Sequence, residues 1–198
     1  MLKKMMLLAS AVAALAAFAI PATASADTWA DNGVAIMAGA DITQSYEGFL
    51  QFNTGPLGVY GCEFTATVTT NGPHAATITK FAPTTEPCVG TIAFEGCTLI
   101  GHTSNTPWDL GNATTPLAAS KAGGNITMHF EYKAKTCRGT QTTSHLEFSS
   151  LSIAVEGTNP ITKLTVSGKS TTGIPISGSL VPEQTGSNPS VSTLGLVN

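Results

Sequence analysis

Four cysteines and four histidines hold most of the reactive side-chain chemistry in this 198-residue chain. Cys62, Cys88, Cys97 and Cys137 are an even number of thiols. Zinc sites usually bring cysteines in close pairs two to four residues apart. These spacings are longer, and none of His74, His102, His129 or His145 sits beside a cysteine. The pattern points to two disulfides instead. Four cysteines allow three pairings, and spacing alone leaves all three open. Cys62 with Cys88 and Cys97 with Cys137 is the preferred set.

The histidines do not spell out a known catalytic motif. The chain carries no Gly-x-Ser-x-Gly elbow, no phosphate or dinucleotide loop and no His-Glu-x-x-His zinc helix. His129 falls on the polar side of an alternating stretch, where a solvated imidazole is the ordinary reading. Glu131, Glu147 and Glu156 are spread along strand-like segments and read as surface charge. No cofactor and no metal site are expected. Trp108 is the most informative aromatic, because Pro107 fixes the backbone just before it. An exposed Trp108 would be a platform for a sugar or hydrophobic ligand, and it is the one candidate ligand contact. A buried Trp108 would be a core plug, the commoner fate of a large apolar side chain.

The elements that would position these groups read as strands. Ile126, Met128, Phe130 and Tyr132 alternate with Thr127, His129, Glu131 and Lys133, the period-two pattern of a strand with one buried face. Cys62, Phe64, Ala66 and Val68 alternate with Glu63, Thr65, Thr67 and Thr69 in the same way. Asn71-Gly72 follows as a hairpin signal, with Ala76, Ile78 and Lys80 on the return strand. Further strands are expected over 48–52, 91–100, 146–155, 163–166 and 174–180. In 146–155 the apolar parity shifts, which predicts a bulge at Ser149-Ser150. The best helix candidate is 116–122, ended by Gly123-Gly124, and 105–110 reads as a loop. Many short strands between Gly, Pro and Asn predict an all-β fold, a disulfide-stapled two-sheet β-sandwich with a barrel as the alternative.

The domain plan places a signal peptide at 1–26, an extension at 27–46, the β-sandwich at 47–182 and a polar tail at 183–198 that ends in a possible strand, Leu194-Gly195-Leu196-Val197. Lys3-Lys4, an apolar run to Ile20, Pro21 and then Ala24-Ser25-Ala26 form the three-part secretory pattern. The apolar run is shorter than the roughly 20 residues that span a bilayer, so no membrane span is expected. Cleavage after Ala26 would leave 172 residues, enough for one core. Lys3 and Lys4 would leave with the signal, so seven basic residues would face twelve acidic ones, a formal charge of −5. A mildly acidic chain with scattered lysines argues against nucleic-acid binding.

Between Gly61 and Leu110 the order of landmarks carries a family likeness. Gly61-Cys62-Glu63-Phe64-Thr65 opens a Thr-rich strand, followed by Asn71-Gly72, Thr77-Ile78-Thr79, Cys88 and Pro107-Trp108-Asp109-Leu110. This order resembles small exported bacterial proteins described as activators of alkane oxidation. The resemblance implies a non-enzymatic helper outside the cytoplasm, acting where cells meet a hydrophobic growth substrate, and it brings no catalytic residues. The expected function is therefore a secreted protein that works by binding or self-association at the cell surface or beyond it, with an unknown partner. The alternative is a small secreted hydrolase, which would need two of the histidines beside a carboxylate or serine in a pocket. Processing should leave Asp27 at the mature N-terminus. Mass spectrometry of the exported protein checks this, and an intact Met1 end would refute it.

Overall fold

The computed structural model describes residues 27–53, 59–84, 88–90, 97–134, 142–183 and 193–197, with the side chains of 89–90, 97–99, 132–134 and 142 also outside the description. The expected signal peptide at 1–26, the strand portion 91–96, Cys137 and the side chain of Cys97 lie outside the described residues. Among those described, the chain forms strands and no helix. They begin with β1 (Thr28–Asp31), β2 (Val34–Ala35), β3 (Thr43–Asn53), β4 (Val59–Thr70) and β5 (Ala75–Pro83). Next come β6 (Val89–Gly90), β7 (Cys97–Ser104), β8 (Trp108–Asn112), β9 (Leu117–Ala119) and β10 (Ile126–Ala134). The last are β11 (Thr142–Phe148), β12 (Leu151–Glu156), β13 (Lys163–Lys169), β14 (Pro175–Pro182) and β15 (Leu194–Val197).

Alternation is what folds these segments. In β4, Tyr60, Cys62, Phe64, Ala66 and Val68 are buried while Glu63 is exposed and the threonines between them are half-covered. Every pairing is antiparallel, so each such strand can turn one apolar face inward. The main sheet runs β8-β5-β4-β3-β14-β13-β12-β9, with β6 added to β4. Its two ends meet: Asp109 and Ser120 exchange backbone hydrogen bonds of 2.7 and 2.8 Å, and Lys121 Nζ donates to the Pro107 carbonyl at 2.9 Å. The sheet thus curls to near closure, the barrel version of the expected all-β fold. Gly48 and Gly178 sit where β3 and β14 cross, and a Cβ at either would run into the backbone of the other strand. Cys62 on β4 and Cys88 just before β6 form the disulfide that pins this sheet, closing a loop of 26 residues.

Two small sheets complete the molecule. The β11-β10-β7 sheet lays Met128, Phe130, Leu146 and Phe148 against the barrel wall. Phe130 meets Phe52 at 5.2 Å, Tyr60 at 6.0 Å and Phe64 at 6.2 Å between ring centroids, all edge to face. Phe64 continues to Phe81 at 5.0 Å, and Phe81 to Trp108 at 4.9 Å. The β15-β1-β2 sheet is a cap, with Trp29, Leu194 and Leu196 buried. Trp29 and Leu194 line the same interior as Tyr46, Trp108 and Leu117. That interior leaves a void of only about 10 Å³, about one water molecule's worth.

Several expectations change here. The segment 27–46 is not a separate extension, whereas the possible strand at 194–197 is present as β15. Residues 28–31 pair with 194–197, and Thr43–Tyr46 begins the long strand β3. Burying Trp29, Leu194 and Leu196 rewards this, where solvent would not. The expected bulge at Ser149-Ser150 is a change of sheet: β11 pairs with β10, whereas β12 pairs with β9 and β13. The helix expected over 116–122 is the strand β9, because Leu117 and Ala119 alternate into the core opposite Ile153 and Leu151. The expected loop 105–110 becomes β8 from Trp108 onward. If the cap belongs to the cooperative core, Leu194→Ala should cost about 2–5 kcal/mol. Urea unfolding should show a lower midpoint with an unchanged slope; an unaltered midpoint would mean that the cap is detachable.

Candidate functional site

Trp108 is fully buried, and its indole N–H donates to Asn105 Oδ1 at 2.8 Å. That same oxygen accepts the backbone N–H of Thr127 at 3.0 Å. Trp108 is therefore the core plug that ties the outer sheet to the barrel. It cannot be the exposed ligand platform that its neighbouring Pro107 suggested. Pro107 is instead exposed, and its carbonyl receives Lys121.

The histidines separate into three environments. His74 is exposed in the loop between β4 and β5. His102 lies in β7, register partner of Phe130. Its ring packs against Phe130 at 5.0 Å and Phe64 at 5.9 Å. His102 Nε2 is buried with no hydrogen-bond partner among the described residues. Burial, with a smaller push from the charge of His129, pulls the His102 pKa down to about 4.

His129 and His145 come together on the opposite, outer face of the same sheet. They are direct register partners on β10 and β11. Strand pairing places opposed Cβ atoms about 4.5–5.5 Å apart, which lets the two rings meet with centroids 4.0 Å apart. His145 Nδ1 lies 2.8 Å from His129 Nε2 and 3.1 Å from its Nδ1. The other ring nitrogen, His145 Nε2, is 3.0 Å from Glu147 Oε1, two residues along the same face. The hydrogen bond with His145 is the main reason that the Glu147 carboxyl titrates below the usual range; partial desolvation opposes it, and the charge of His145, the Asn125 side chain and His129 assist. The result is a polar line, Glu147–His145–His129, on an open surface. Glu131, next on that face, lies over Gly101, where an added Cβ would come within 3.1 Å of its carboxylate. That places it towards β7, on the far side of β10 from His145.

This juxtaposition is half of what a hydrolase would need. Two histidines stand beside a carboxylate on an exposed strand face. Among the described residues, no serine or threonine hydroxyl hydrogen-bonds either imidazole. The larger cavity, about 530 Å³, opens elsewhere, between Gln44, Tyr46, Glu47, Pro160, Pro182 and Thr193, and no histidine lines it. Tyr46 Oη is buried there without a described partner, and burial pushes its phenol pKa up.

The outer face of β3, β4 and β5 carries a different chemistry. Thr43 and Thr69 hydroxyls lie 3.1 Å apart, Ser45 and Thr67 3.3 Å, and Thr69 and Thr79 3.3 Å. These pairs cross strands and form a hydroxyl ladder. Among the described residues the most exposed large apolar side chains are Val34 on β2, at 72 %, and Met37 just beyond it, at 79 %, with Phe49, Ile100 and Val181 exposed to a lesser degree. Among the described residues, no helix is long and apolar enough to cross a membrane.

In comparisons with known proteins, no family model, no curated protein and no solved structure matched the chain. The functional reading therefore rests on the residues themselves.

The depressed His102 predicts an acid sensitivity of definite sign. Unfolded, this imidazole takes a proton near 6.5; folded, only near 4. Between those values the unfolded chain binds more protons, so stability is full above about 6.5 and is lost as pH falls towards 4. Chemical unfolding at stepped pH should show a steeper loss for the native chain than for His102→Phe, and equal slopes would refute the assignment.

Proposed function

We propose that the chain is an exported, non-enzymatic protein that acts by binding or self-association at the cell surface or outside the cell. The observation that carries this reading is the Cys62–Cys88 disulfide. Such bonds persist in oxidising compartments and are rare in the cytosol, in keeping with the secretory pattern at 1–26. The interior is filled by its own side chains, with a void of about 10 Å³, so recognition falls to the surface.

Two surfaces suit association. The hydroxyl ladder on β3-β4-β5 offers paired donors and acceptors with little charge. The cap offers an edge. In the order β15-β1-β2 the outer side of β15 is bonded to residues 158–161, which leaves β2 as the open outer strand, with Val34 on it and Met37 just beyond it exposed. An outer strand presents unpaired N–H and C=O groups to a further strand. Strands β1 and β15 are occupied with each other, so self-association would fall to the β2 edge of the N-terminal segment. The resemblance at 61–110 extends the proposal to a helper for growth on hydrophobic substrates.

Sedimentation of the exported chain should show concentration-dependent assembly, and Val34→Lys should return it to monomer while its melting temperature holds. A native chain that stays monomeric, and that retains nothing from culture medium or washed cells, would defeat the proposal.

A further inference from the structure

The Glu147–His145–His129 line raises a question of protons. Glu147 accepts from His145 Nε2–H, so a neutral His145 presents a lone pair at Nδ1. That nitrogen lies 2.8 Å from His129 Nε2 and 3.1 Å from its Nδ1, so it rests against the face of the His129 ring, with the ring centroids 4.0 Å apart. Two imidazoles held this close by the sheet can converge on one electrophile once the His129 ring turns about its Cβ–Cγ bond.

We propose that His129 and His145 together bind one divalent transition-metal ion, of the copper, nickel or zinc class, on the outer face of the β10–β11 pair. Three features carry it. First, the spacing fits. Metal–imidazole bonds of about 2.0–2.1 Å in a tetrahedral or square arrangement set ligand nitrogens roughly 2.9–3.4 Å apart; His145 Nδ1 and His129 Nε2 already lie 2.8 Å apart, and turning the His129 ring about its Cβ–Cγ bond would aim that nitrogen at a shared ion. Second, the pair is preorganised by the sheet. The residues are directly opposed in an antiparallel register that the buried neighbours Met128, Phe130, Leu146 and Phe148 fix from the other face. Third, the outer support is built. A ligating histidine commonly donates its second N–H to a carboxylate, which fixes the tautomer and raises ligand basicity. Glu147 occupies that place at 3.0 Å.

The chemistry of the donors selects the ion. Imidazole suits copper, nickel and zinc, whereas calcium and magnesium take oxygen ligands. Among the described residues no group of three or more His, Cys, Asp or Glu is placed to hold a metal. The ion would therefore keep open positions for water or for a donor from another molecule. His102 does not join, since its ring is on the inner face against Phe64 and Phe130.

The test titrates the exported full chain with Cu²⁺ alone, Zn²⁺ alone and Ca²⁺ alone, by calorimetry and by thermal melting. One Cu²⁺ or Zn²⁺ per chain should bind and raise Tm, and Ca²⁺ should do neither. His129→Asn and His145→Asn should each lose saturable binding, with Tm in metal-free buffer close to that of the native chain. Glu147→Gln should weaken affinity about tenfold, the lower end of the usual effect of an outer-shell partner. His74→Asn, remote from the pair, should bind as the native chain does. Electron paramagnetic resonance of the Cu²⁺ form should count two imidazole nitrogens, a readout independent of variant folding. No binding of Cu²⁺ or Zn²⁺ by the native chain overturns the proposal. So does binding that survives in both histidine variants, or a spectrum with fewer than two imidazoles.

Discussion

The edge-to-face packing of Phe130 into Phe52, Tyr60 and Phe64 is the contact on which the rest of the molecule depends. Strands β3 and β4 are long, eleven and twelve residues, and each serves two cores. One half of each faces the barrel interior through Tyr46, Ala66 and Val68, and the other half meets the outer sheet through Phe52, Tyr60 and Phe64. Aromatic pairs of this kind contribute about 0.5–1.5 kcal/mol each beyond the area they bury. The seam continues through Phe81 to Trp108, so one run of rings joins the outer sheet to the closure point of the barrel. Without it, the strands that carry His129 and His145 would have no wall to lie on.

How legible the fold was in the sequence follows from which signals are local. The strand at 126–134 was readable because alternation there is uninterrupted, and its bounds match β10. The Cys62–Cys88 pairing was the preferred one of three, and the disulfide agrees. The shift near Ser149-Ser150 was visible too, but a parity change looks the same whether a strand bulges or leaves its sheet. Deciding between those needs the partners of both halves, which lie at 126–132 and at 117–119 and 163–167. Leu117 and Ala119 gave no alternation long enough to outweigh an alanine-rich helix pattern, so β9 is dictated by tertiary pairing. One local signal went unused. Asn32-Gly33, both in left-handed conformation at φ 47° and 84°, makes the β1–β2 hairpin.

The candidate site was less legible than the fold. His129 was placed correctly on the polar face of its strand, and His145 and Glu147 were each visible as residues. Their meeting was not, because it depends on the register between β10 and β11. A one-residue slip would send His145 to the buried face. Neither strand alone sets that register; the inward set of Met128 and Phe130 on β10 with Leu146 and Phe148 on β11 does. Trp108 was legible from its size: a buried core plug was the commoner reading, and the structure buries it with its indole N–H donating to Asn105 Oδ1.

The pairing of residue 28 with residue 197 sets an order of events on a chain delivered from its N-terminus. Contacts between residues this far apart in sequence are slow to form, because loop closure must precede them. The β3–β4–β5 meander can form as soon as its own residues have emerged, whereas β1 has to wait with Trp29 uncovered until β15 follows. The fold is thus completed vectorially and its seal comes last. Under the proposed export, a chain threaded through a membrane in that direction would stay unsealed during its passage and lock only on the far side.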